Sequence, residues 1–123
     1  MSATSAWAAV LTTILLTVYG QLIIKWRVIA TMQALDGGGK IVLLSRLLLD
    51  PWVLTGFIAA FLAAVSWMLA MTKLPLSLAY PFTSMAFLLV MIFGVAFLSE
   101  ALTLPKVLGT ALIVVGLIVL SRG

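Results

Sequence analysis

With 123 residues, 65% of them hydrophobic and only 8% charged, the chain has too few polar groups to cover a water-soluble domain of its size. A mean hydropathy of +1.36 makes lipid the fitting solvent, and the charges avoid the apolar runs as a bilayer-spanning chain requires. The net charge of +4 comes from singly scattered basic residues, which gives nucleic-acid binding no support, and the lack of Cys and His excludes disulfides, thiol chemistry and the usual Zn or haem ligation.

In chain order, Met-Ser-Ala-Thr-Ser-Ala lacks the basic segment of a cleaved signal peptide, so the first apolar run is expected to be retained. That run predicts a span over about 6–26, with Lys25-Trp26-Arg27 marking a membrane interface. The helix is free to continue through 28–35, where no breaker occurs, until Asp36-Gly37-Gly38-Gly39 stops it. Residues 40–49 are aliphatic but too few to span, which predicts a helix lying in the interface. Asp50-Pro51 reads as an N-cap followed by a first-turn Pro, opening a second span over 51–71. A tight connection with Lys73 and Pro75 leads to a third span over 76–98, closed by Ser99-Glu100. Thr103 and Pro105 open a fourth over 104–121. Alternation of period two is absent, so a barrel is excluded. The expectation is an all-α membrane protein, one domain over 1–123, with four transmembrane helices and a short interfacial helix between the first and second.

Counting cations gives the orientation. Lys25, Arg27, Lys40, Arg46 and Lys106 fall on one side, Lys73 and Arg122 on the other. The excess predicts the first and third connections in the cytoplasm and both termini outside, in the periplasm for a bacterial inner membrane.

The first span carries a polar series, Thr13, Thr17, Gln21 and Lys25, at steps of four that spiral slowly over one broad face. Thr hydroxyls at that spacing can simply return to backbone carbonyls. Gln21 and Lys25 are expensive at membrane depth and point to a hydrophilic path, although Lys25 is long enough to snorkel. The second span holds Gly56, Ala60 and Ala64, with Ala59 and Ala63 alongside, which reads as a close-packing face. In the third, Ser77, Tyr80 and Ser84 share a face and Pro81 interrupts the hydrogen-bond ladder, so a structural kink and a binding-site wall are both open readings. Glu100, the sole Glu, reads as an anchor at the span exit that pairs with Lys106 or another cation. Gly109, Ile113 and Gly116 on one face of the fourth span suggest a dimer surface. No nucleophile–base set, phosphate loop or metal cluster is present, so no enzyme, cofactor or metal chemistry is expected.

Four short spans, Tyr19-Gly20-Gln21 followed by Lys25, the stretch from Pro75 to Tyr80-Pro81, and Ser99-Glu100 with Pro105 and Gly109 together resemble the small multidrug resistance branch of the drug/metabolite (EamA-like) transporter superfamily. Within that branch the chain looks closest to the subunits that flip aminoarabinose-phosphoundecaprenol across the inner membrane. Drug-exporting members carry a Glu three residues before the matching Gly, where this chain has Thr17, and the Trp that usually follows the third-span Tyr by three is Thr83. With no carboxylate in the spans, proton-coupled export of aromatic cations lacks its titrating group. The resemblance also implies a dimer, homo- or heteromeric, with the fourth span as its main contact.

The function expected is therefore transport or flipping of a polyprenyl-phosphate-linked sugar or related anionic lipid. Lys25 and Arg27 would bind the phosphate, Thr17 and Gln21 would line the path, and Ser77, Tyr80 and Ser84 would meet the sugar. Two alternatives stay open: export of a polyamine or drug with a partner subunit that supplies the carboxylate, and a non-transporting scaffold for a glycosyltransferase.

Overall fold

A computed structural model describes residues 2–35 and 38–123; Asp36 and Gly37, half of the expected stop signal, lie outside the described residues. All regular structure among these residues is helical: α1 (Ala3–Ala34), α2 (Lys40–Leu48), α3 (Pro51–Met71), α4 (Leu76–Phe82), α5 (Met85–Phe97) and α6 (Leu104–Leu120). Three stretches, α1, α3 and the joined α4–α5, are long and apolar enough to cross a membrane, and α6 is a shorter apolar helix. This is a multi-pass membrane protein.

The helix ends are set by local chemistry. Ser2 caps α1 by accepting from the Ser5 amide, Asp50 caps α3 by accepting from Trp52, and Thr103 caps α6 by accepting from Lys106. Pro51 and Pro105 sit in first turns, where the missing N–H removes no helical bond. At 32 residues, α1 is about 48 Å long at 1.5 Å per residue. A hydrocarbon core of about 30 Å cannot contain it; its turns beyond Arg27 pack against α2 and the start of α3, where Thr31 is buried.

α1 is the central strut and packs antiparallel on α3. The two backbones come closest where Gly20 faces Gly56: a Cβ on Gly20 would lie 3.2 Å from the Gly56 carbonyl oxygen. Nearby, Thr13 Oγ1 donates to the Ala9 carbonyl within α1 and to the Ala63 carbonyl across the interface, at 2.9 and 3.2 Å. The Tyr19 and Thr55 hydroxyls meet at 2.9 Å. The α3 seam consists of Val53, Gly56, Ala59, Ala63 and Ala70, all buried. This corrects the small-residue face read from sequence. Ala60 and Ala64 are exposed, because a seam against one neighbour advances by alternating threes and fours, and two steps of four rotate out of it.

A second face of α1, Val10, Ile14 and Val18, packs with Ala70, Ala79 and Ala86 into the apolar core, bordered by Trp7, Trp67, Leu89 and Phe93. Here α1 and the third span run parallel. Trp7 meets Phe82 edge-on at 5.1 Å, and Trp67 meets Tyr80 likewise at 6.1 Å. The third span breaks just after Pro81. Its amides at Thr83, Ser84, Ala86 and Phe87 bond three residues back, to Tyr80, Pro81, Thr83 and Ser84, a tightened 3₁₀-like passage between α4 and α5. α6 stands outermost with no buried residue. Chain reversals gather Lys25, Arg27, α2, Asp50, Glu100 and Lys106 at one end of the bundle.

The Gly20–Gly56 contact gives the first prediction. Gly20→Val forces a branched side chain against a backbone carbonyl and is expected to cost about 1–3 kcal/mol. Gly56→Ala meets only ordinary contacts, the nearest at 3.5 Å, and should be near neutral. Unfolding of the detergent-solubilised variants by dodecyl sulfate, followed by circular dichroism, compares the two.

Candidate functional site

Two Thr residues one turn apart have different fates. Thr13 is buried in the α1–α3 seam, whereas Thr17, whose hydroxyl donates to the Thr13 carbonyl at 2.7 Å, turns toward α5. Thr17 and Gln21 line a cavity of about 580 Å³ whose other walls include Ala86, Val90, Met91, Glu100 and Lys106. Polar groups from the middle of α1 thus meet the charged loop that joins α5 to α6.

The loop is shaped by two backbone features. Ser99 adopts a left-handed φ of 56°, uncommon for a residue with a side chain, and this turns the chain back over α5. The Gly94 carbonyl then accepts from both the Leu98 and Glu100 amides, at 3.0 and 3.1 Å. The Glu100 side chain lies over Gly94 so closely that a Cβ there would sit 2.8 Å from Oε2 and 3.3 Å from Cδ. Gly94 is therefore the space that the carboxylate occupies. Lys106 does not pair with Glu100, contrary to the sequence-based expectation: its Nζ donates to the Ala101 carbonyl at 2.6 Å. Among the described residues the one ion pair is elsewhere.

That ion pair involves Arg27. Its Nε lies 2.7 Å from Asp50 Oδ2, and its guanidinium stacks on Trp26 at 5.0 Å, while Trp26 meets Trp52 edge-on at 5.8 Å. Arg27 is thus bound to the α3 N-terminus, where it lines a separate cavity of about 370 Å³ with Arg46, Asp50 and Trp52. Burial alone would raise the Asp50 carboxyl, but the Arg27 hydrogen bond, the Trp52 amide and the Arg27 charge together hold it below its ordinary value of 3.8. Lys25 is exposed, four residues and so about 6 Å along the helix from Gln21.

Ser77, Tyr80 and Ser84, singled out from the sequence, do not join this cavity. Ser77 is exposed, Ser84 half-exposed and Tyr80 63% exposed with its ring against Trp67. Pro81 leaves the Ser77 carbonyl without its helical donor, next to the 3₁₀-like passage. A Cβ added at Gly109 or Gly116 would meet nothing within 4 Å, and Ile113 is half-exposed. Sequence reasoning missed Lys106 as a cavity residue and took Glu100 for an anchor. The available signal was the Gly94-to-Glu100 spacing across a helix end, which has no meaning until the loop conformation is known.

A second, almost wholly apolar groove of about 320 Å³ adjoins the polar cavity between α5 and α6, lined by Ile92, Val95, Leu102, Val107 and Thr110 among others. Met91 lines both spaces, and Thr110 Oγ1 donates to its sulfur at 3.3 Å.

Compared with known proteins, residues 1–122 match the EamA-like transporter family. The chain belongs to that family. Among its relatives is the probable 4-amino-4-deoxy-L-arabinose-phosphoundecaprenol flippase subunit ArnF of Yersinia enterocolitica, 33% identical over 108 residues, covering 85% of this chain and 84% of that one. The ArnF subunit of Erwinia tasmaniensis is 34% identical over 103 residues, 81% of each chain. The ArnE subunit of Aeromonas salmonicida is 31% identical over 74 residues, 60% of this chain and 65% of that one. The chain thus spans most of the ArnF relatives but slightly under two thirds of this ArnE. No solved structure matches.

The Asp50 arrangement predicts a pH response. A carboxyl whose pKa is lowered by folding stabilises the folded state above the ordinary carboxylate range, and that contribution is lost as pH falls through the lowered value. The melting temperature of the solubilised protein should therefore fall as pH drops below about 4, and the part of this fall due to Asp50 should be missing in Asp50→Asn.

Proposed function

We propose that this EamA-family protein is a membrane flippase subunit for a polyprenyl-phosphate-linked sugar. The observation that carries the reading is the junction at Met91, where a cavity whose largely apolar walls bear Thr17, Gln21, Glu100 and Lys106 adjoins an almost wholly apolar groove between α5 and α6. A headgroup needs the first and an isoprenoid tail the second. Kinship with ArnF and ArnE subunits, whose names specify such a lipid, supports the same substrate class.

α6 completes a fourth span. Its 17 residues reach about 25 Å, the lower limit for crossing, and α2 lies along the interface with Lys40 and Arg46 toward anionic headgroups. The cation excess puts Lys25, Arg46, Glu100 and Lys106 at the cytoplasmic face of a bacterial inner membrane, with both termini periplasmic. Lys25, one turn beyond Gln21 and exposed, serves as a phosphate contact. Arg27, matched by Asp50, anchors α1 to α3 and contributes at most a secondary contact. Ser77, Tyr80 and Ser84 face a different side and would meet the sugar only after it has moved across. The open α6 face at Gly109, Ile113 and Gly116 joins a companion subunit, and because the relatives are each named as a subunit, ArnE and ArnF, a heterodimer is the fitting assembly.

Two outcomes are expected in proteoliposomes that carry the lipid-linked sugar, with flipping read by accessibility of the headgroup to an external reagent. Flipping requires this chain and an ArnE-type companion, and Gln21→Leu slows it about fivefold, the factor for one lost hydrogen bond of about 1 kcal/mol. Gly109→Ile with Gly116→Ile lowers co-purification of the two subunits without unfolding either. Flipping that is absent with both subunits present overturns the reading.

A further inference from the structure

The Glu100 carboxylate lines the headgroup cavity, and among the described residues it forms no hydrogen bond or ion pair. It is nonetheless held in place, by the left-handed Ser99, by the amide of Glu100 on the Gly94 carbonyl, and by the missing side chain at Gly94. Lys106 lines the same cavity without pairing with the carboxylate, its Nζ donating to the Ala101 carbonyl at 2.6 Å. The cavity therefore carries one negative and one positive group that form no ion pair with each other.

Glu100 is exposed, and a phosphate-only ligand beside it would be disfavoured, because like charges repel each other. A ligand with an ammonium group as well as a phosphate would meet both signs. We propose that Glu100 is the specificity-determining residue of this cavity and selects lipid-linked sugars that carry a free amine, the ammonium resting on its carboxylate while Lys106 and Lys25 face the phosphodiester. The inference rests on the flippase reading above and adds to it the residue that distinguishes an amino sugar from a neutral one. Gly94 is then a positioning residue, since any side chain there displaces the carboxylate.

The test uses the full chain in nanodiscs, alone and with an ArnE-type companion subunit, and three probe lipids. These are undecaprenyl phosphate, undecaprenyl phosphate bearing a 4-aminopentose, and the same lipid with its amine acetylated. Wild type should bind the free-amine lipid at least about tenfold more tightly than the acetylated one, the range for a charge-assisted hydrogen bond. Glu100→Gln should bring that ratio to about one by weakening binding of the free-amine lipid, and Gly94→Ala should lower the ratio with the charge retained. A wild-type ratio near one overturns the proposal, as does a ratio that survives Glu100→Gln or an equal loss for all three probes, and in each case the flippase reading stands. Failure of every probe to bind wild type in either assembly overturns the flippase reading and this inference with it. Circular dichroism checks folding. Should Glu100→Gln unfold, Gly94→Ala decides: a folded Gly94→Ala protein with an undiminished ratio also overturns it.

Discussion

The arrangement depends on how closely α1 and α3 approach at Gly20 and Gly56. Lipid chains are as apolar as the helices they surround, so helix association in a membrane comes from close van der Waals packing and a few interhelical hydrogen bonds. Backbone contact at two glycines provides the packing, and Thr13 to Ala63 and Tyr19 to Thr55 provide the bonds. Together they fix the rotation of α1 about its axis. That rotation decides which of its polar residues are consumed by packing and which remain free.

With Thr13 turned into the α3 seam, Val10, Ile14 and Val18 turn to the third span, and Thr17 and Gln21 fall between the two packed faces. α5 borders them on one side, and α6, which contributes no buried residue, leaves the remainder open. The cavity is thus what remains after α1 has satisfied two neighbours. The same logic explains Arg27. Once α1 is set against α3, its guanidinium reaches the α3 cap at Asp50, and a residue that composition marks as a free cation becomes a structural tie.

The carboxylate reaches the cavity by another route. In this chain the spans are free of acid, yet the cavity is not, because a loop delivers Glu100 beside Thr17 and Gln21. Glu100 is exposed, on the loop between α5 and α6 and outside every helix.

Sequence alone determined the class of solvent, the helical backbone, and the helix starts at Asp50-Pro51 and Thr103, because each depends on composition or on atoms within a few residues. It also singled out Thr17 and Gln21, since amides and hydroxyls stand out against an apolar run. It could not separate Thr13 from Thr17, choose Ala59 and Ala63 over Ala60 and Ala64, or foresee that Asp50 matches Arg27. Those outcomes turn on helix rotation, which is set by contacts 23 to 50 residues apart in sequence. Nor could it place Glu100 over Gly94, because that depends on one left-handed residue, Ser99, whose type does not announce the turn. The polar residues were legible; which of them share a cavity was decided by tertiary packing.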